Sequence, residues 1–157
     1  MYPTLFEIAG LAILGWALLI FLPPWKVTRW FAETAVFPIY LSVLYVVGIL
    51  PIVIAAGPGI MSDFGSVQGV LQLLQDPDVA LIAWIHILAF DHLIGVLIYR
   101  DNMRHRFVPL PLQSVILFFT LMLGPVGFVT YWLIRAGRTR TVRVGLEVGE
   151  PEPQGAS

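Results

Sequence analysis

Residues 83–101 read AWIHILAFDHLIGVLIYRD. The length and apolar content suit a helix that crosses a bilayer, which needs about 20 such residues. Yet His86, Asp91 and His92 interrupt the run before Arg100 and Asp101 close it. Ionisable groups at membrane depth cost at least ~3 kcal/mol, so they are expected to face a protein interior, where they pair or do chemistry. An ideal helix advances about 100° per residue, which sets His86 and Asp91 about 140° apart and His86 and His92 about 120° apart. The three cannot converge on one small site from a straight helix. Asp91 shares a face with Trp84 and with Gly95, where a missing side chain admits a neighbouring helix or a ligand. On spacing alone, hydrogen bonds between helices and a functional site explain these residues equally well.

The chain has 157 residues, which suits one domain; 58% are hydrophobic and 12% charged. Mean hydropathy is +0.85. Soluble domains carry about twice that share of charge, so lipid is the expected solvent. The net charge of −1 gives no electrostatic case for a nucleic-acid partner. The absence of cysteine removes disulfides, thiolate nucleophiles and Cys-based metal sites. The opening MYPTLFEIAG has no Lys or Arg ahead of its apolar run. It lacks the basic region of a cleavable signal peptide, so the first apolar segment is expected to stay in place.

Four apolar stretches, about 5–22, 35–56, 79–100 and 112–134, are each near spanning length. The expectation is an all-α integral membrane four-helix bundle over residues 1–136, multi-pass, in a bacterial inner or photosynthetic membrane. Between the second and third stretches, 66-SVQGVLQLLQ-75 sets Val67, Val70, Leu71 and Leu74 at helical spacing, which predicts a short amphipathic helix at the surface. The connection 23-PPWKVTRWFAET-34 combines tryptophans with cations, the composition of a membrane boundary. Residues 137–157 form a basic and then Pro/Glu/Gly-rich tail, a candidate contact for a larger membrane complex. For four crossings the cations split five against four between the two sides. That split supports termini outside the cytoplasm only weakly.

Asp101 has Arg104 and His105 three and four residues on, the spacing of a surface ion pair. His86, Asp91, His92, Asp101 and His105 are metal-ligand types, but their axial spread is large and no HxxxH or HExxH pattern is present, so no metal is expected. In the fourth stretch, 124-GPVG-127 interrupts the helical ladder at mid-membrane. It predicts either a plain kink or a gap where a flat apolar ligand lies. The chain shows no GxGxxG, Walker A, GxSxG or CxxCH motif.

The ordered elements LF-x-IAG, W-x-LLI-x-x-P-x-W, F-GS-x-QGV, AWIH-x-LAFD-x-x-x-G, YRD and GPVG run from about residue 5 to 135. Together they resemble the abscisic-acid-deficient-type, neoxanthin-synthase-like membrane proteins. The resemblance implies four spans and a carotenoid as ligand or substrate. It also implies a cofactor-independent isomerisation that opens a carotenoid epoxide and removes a neighbouring proton to give an allene. His86, Asp91 and Asp101 match the family's WxH, FD and YRD positions and become catalytic candidates, Asp91 as proton donor and His86 as base. Trp84, Gly95, Gly124, Pro125 and Gly127 become candidates to line the ligand. Val96 stands where the family commonly has arginine, and His92 where it is usually apolar. The alternative is a non-catalytic accessory subunit of a larger complex, photosynthetic in kind, that packs against pigments. A small transporter using the intramembrane acid is a third.

Overall fold

The computed structural model describes residues 1–139, and the regular elements among them are all helical. The first apolar run forms α1 (Tyr2–Ala9), one 3-10 turn at Gly10–Ala12, and α2 (Ile13–Phe21). The backbone stays right-handed through the tightened turn, with Gly10 at φ −57°, ψ −23° and Ile13 at φ −58°, ψ −29°. The three pieces are therefore one 20-residue rod, Tyr2–Phe21. It stops at Leu22, since a residue ahead of proline is driven from the α region.

Helix α3 (Lys26–Thr34) follows, and Ala35, left-handed at φ 50°, turns the chain into α4 (Val36–Ala56). Beyond Gly57 lie α5 (Ile60–Asp63) and α6 (Val67–Gln75). Ser66 caps α6 by accepting the Gly69 N–H at 3.0 Å. Val67, Leu71 and Leu74 are exposed, as expected of a short surface helix. The central element is α7 (Pro77–His105). The Asp76 carboxylate accepts the N–H groups of Asp78 and Val79, and Pro77 fills the first turn. Its 29 residues rise about 44 Å. That exceeds a hydrocarbon core of ~30 Å, so its last turns reach the polar boundary.

Tyr2–Phe21, Val36–Gly59 and Pro77–His105 are each long and apolar enough to cross a membrane. Both buried clusters draw on α7. One gathers Leu5, Ala9 and Leu41 around Ile82 and Ile85. The other gathers Trp16, Leu19, Leu117 and Tyr131 around Val96 and Tyr99. Val43, Val47 and Ile54 of α4 and Leu14 and Phe21 of α2 are exposed, an apolar exterior that fits lipid as the solvent.

The fourth apolar run departs from the expected crossing helix. It divides into α8 (Leu110–Met122) and α9 (Gly124–Thr139), which meet at Leu123. Gly124 lies against Asp91 of α7. Farther along both helices, Tyr131 and Arg135 of α9 bind Asp101 of α7. Arg135 also lies over Phe107, in the loop that precedes α8, at 5.5 Å. Thus α9 returns to the end from which α8 came, with Gly127 packed on the backbone of Thr120. The lengths agree: the 13 residues of α8 rise only about 20 Å. At this turn Gly124 is buried against Asp91 of α7, while Met122, Leu123 and Val126 are exposed. The observed architecture is three long apolar helices and a helical hairpin that enters and leaves by one end. The expected tail, 137–157, starts within α9, and its residues 140–157 lie outside the described ones.

The hairpin changes the charge account. Lys26, Arg29, Arg100, Arg104, Arg106, Arg135 and Arg138 all lie at the C-terminal end of α7, and Arg140 and Arg143 follow Thr139 in sequence. The opposite end, residues 1–2 and 57–77, holds Asp63 and Asp76 and no Lys or Arg. Among the described residues all seven cations lie at one end, so the positive-inside rule predicts that end on the cytoplasmic side and the N-terminus on the other. Because the chain has no cysteine, single-cysteine variants report sidedness. A membrane-impermeant maleimide added to intact cells is expected to label Ser66→Cys and spare Arg138→Cys. Labelling of both, or the reverse pattern, overturns the assignment.

Candidate functional site

Two polar centres lie along α7. The first is at mid-depth. At the start of α9, the backbone at Gly124 packs against the Asp91 carboxyl group. A Cβ on Gly124 would overlap that group, so glycine is what lets the acid reach the turn. Asp91 is half-buried there.

The other candidates around it do not gather there. His86 was expected to face inward with Asp91. It is exposed instead, its ring 5.0 Å from Tyr45 and 4.8 Å from Phe90. The wide angle between the two positions is the reason: with Asp91 turned to α9, His86 falls on the outer surface. Trp84 is also exposed. Gly95 receives the ring of Trp16, and Gly127 receives Thr120. Pro125 lies exposed beside Gly124. His92 is buried among apolar rings, edge-on to Trp16 at 4.9 Å and 5.5 Å from Phe37, and its Nδ1 has no hydrogen-bond partner among the described residues.

The second centre lies at the boundary end of α7. Asp101 Oδ2 accepts the Tyr131 hydroxyl at 2.7 Å and Arg135 Nε at 3.2 Å. Its Oδ1 lies 3.3 Å from His105 Nδ1, which is also 3.1 Å from the Asp101 carbonyl oxygen. With Nδ1 turned to these acceptors, Nε2 is the nitrogen left to accept or deliver a proton. The His105 side chain is 41% exposed and stacks on Phe107 at 5.2 Å. Tyr131 is buried. Asp101 is therefore no simple surface pair. The His105 contact was legible from spacing, whereas Arg104 turns to another face of α7. Tyr131 stands out in the sequence as a polar group of the last apolar run and Arg135 as a cation after it, but nothing there pairs either with Asp101. Their i, i+4 spacing places both on one face of α9, but only the return direction of that helix brings the face to Asp101.

Next to this centre, the Asn102 side chain binds both backbone groups of Val108 and accepts no substitute easily, since its Nδ2 also donates to Gln113 at 2.6 Å. This network fixes the α7–α8 loop and so the start of the hairpin. Among the described residues, no three His, Asp or Glu side chains are grouped as a metal site requires.

No curated protein and no solved structure matches the chain. The family model described as ABA DEFICIENT 4-like matches residues 4–131, from α1 to Tyr131 in the returning helix, and the chain belongs to that family.

Proposed function

We propose that this chain is a carotenoid-associated membrane protein that isomerises an epoxide-bearing carotenoid end ring without a cofactor. Family membership, with the resemblance to neoxanthin-synthase-like proteins, supports the substrate class. The observation that carries the site is the His105–Asp101–Tyr131–Arg135 cluster. An oxygenated ring avoids the hydrocarbon core, because a polar group left there without a partner costs several kcal/mol, roughly 2–7. Asp101 lies about 15 Å along α7 from Asp91, at the end marked by Arg100 and Arg104. That is the depth at which such a ring would rest. His86, Tyr45 and Phe90 offer an exposed aromatic surface for the polyene.

The step conserves atoms and electrons. A proton reaches the epoxide oxygen as its C–O bond breaks, giving a hydroxyl. A base takes the neighbouring carbon-bound proton, and that electron pair becomes the second double bond of the allene. His105 Nε2 is the proton-handling group, and Asp101 is its positioning residue, itself fixed by Tyr131 and Arg135. Asp91 packs against the turn of the hairpin.

The test is to supply a xanthophyll epoxide in lipid nanodiscs to the purified chain and separate the products. The wild type is expected to form an allenic isomer of equal mass. His105→Gln is expected to lower turnover about 100-fold or more, the usual share of general acid–base catalysis, with binding retained. Unchanged substrate with the wild type, or full turnover in His105→Gln, removes the enzymatic reading. A second reading, a non-catalytic accessory subunit that holds carotenoid within a larger complex, is favoured by the packing of Asp91 on Gly124, which sets the mid-depth acid against backbone. It is supported by copurifying carotenoid that stays chemically unchanged.

A further inference from the structure

A groove of about 430 Å³ opens between α3 and the last turns of α7, lined by Arg29, Glu33, Tyr99, Arg100, Met103 and Arg104. Arg100 and Arg104 lie about 100° and 60° round α7 from Asp101, so this groove is separate from the His105 cluster. Its floor is fixed: the buried Tyr99 hydroxyl donates to the Pro23 carbonyl at 2.6 Å, tying α7 to the end of the first rod. Among the described residues, no ion pair or hydrogen bond engages the guanidinium of Arg29, Arg100 or Arg104. Three such forks around one cavity leave donors for an anion with several oxygens. Trp30, on the same helix as Arg29, is exposed, and exposed tryptophan marks head-group depth.

We propose that this groove binds the head group of an acidic phospholipid, with the phosphodiester held by Arg29, Arg100 and Arg104. Glu33 sits in the same groove. It opposes a bare, doubly charged phosphate and accepts a hydroxyl from a head group that carries one, as glycerol does. Three cations against one carboxylate also disfavour a zwitterionic lipid. The site stands at the cation-rich end assigned to the cytoplasmic side, where anionic lipid is attracted by juxtamembrane Lys and Arg.

Native mass spectrometry of the full-length protein, released from detergent with added lipid, tests this. The wild type is expected to retain phosphatidylglycerol well above phosphatidylcholine. Arg100→Gln/Arg104→Gln is expected to lose that preference by about tenfold or more, given the contribution of each cation near an anionic surface. Thermal unfolding without added lipid checks that the variant is folded. If it is not, the single variant Arg29→Gln, on the other wall of the groove, takes its place. Inorganic phosphate at millimolar concentration is expected to leave the retained lipid in place. Equal retention of the two lipids by the wild type overturns the proposal, as does unchanged retention in the folded variant. Displacement of the lipid by inorganic phosphate identifies a free-anion site and overturns the lipid assignment.

Discussion

Gly124→Val is expected to destroy the hairpin. The new side chain would occupy the position of the Asp91 carboxyl group. Overpacking of this kind costs ~1–3 kcal/mol, a large fraction of a typical folding free energy of about 5–15 kcal/mol. Gly127→Val should act in the same direction, since its side chain would meet the backbone of Thr120, which cannot withdraw as a flexible side chain can. Gly137→Ala is the control, because a Cβ there meets nothing within 4 Å. Thermal unfolding in detergent should rank Gly137→Ala with the wild type and both valine variants far below it. A Gly124→Val protein that unfolds at the wild-type temperature would show that Asp91 does not pack closely on this turn.

Asp101→Ala is expected to cost about 1.5–3 kcal/mol, the range for hydrogen bonds to a charged group. The loss strands the hydroxyl of a buried tyrosine and removes the contact to Arg135 Nε, whose side chain is 17% exposed. An isolated surface pair would cost only ~0–1 kcal/mol, so the size of the effect separates a surface contact from one that ties α9 to α7. Asp101→Asn should lie between, because the amide oxygen still accepts from Tyr131. A double-mutant cycle of Asp101→Ala with Tyr131→Phe measures the shared part, expected near 1 kcal/mol for directly bonded residues. A coupling of zero would mean that Tyr131 and Asp101 do not hold the hairpin closed.

The sequence by itself determined the solvent, the class and most of the elements. Apolar length gave the three long helices, and helical spacing gave α6. Pro23-Pro24 marked where the first rod ends, and GPVG marked where the last apolar run is interrupted. The ordered motifs pointed to the family whose model matches residues 4–131. Each of these is local, set by composition or by neighbours a few residues apart.

The path of the chain beyond Leu123 was not local. A kinked crossing helix and a hairpin share the same hydropathy and the same proline, because these record how much chain lies in lipid and not which way it runs. Direction is decided by contacts between segments: Asp91 on Gly124, Gly127 on Thr120, and Tyr131 and Arg135 on Asp101. The same contacts gathered the cations at one end and gave Asp101 its partners. The site was equally out of reach of spacing along α7. His86 and Asp91 are separated by helical rotation, and residues on different helices meet only where packing brings their faces together, as the return of α9 does for Asp101, Tyr131 and Arg135.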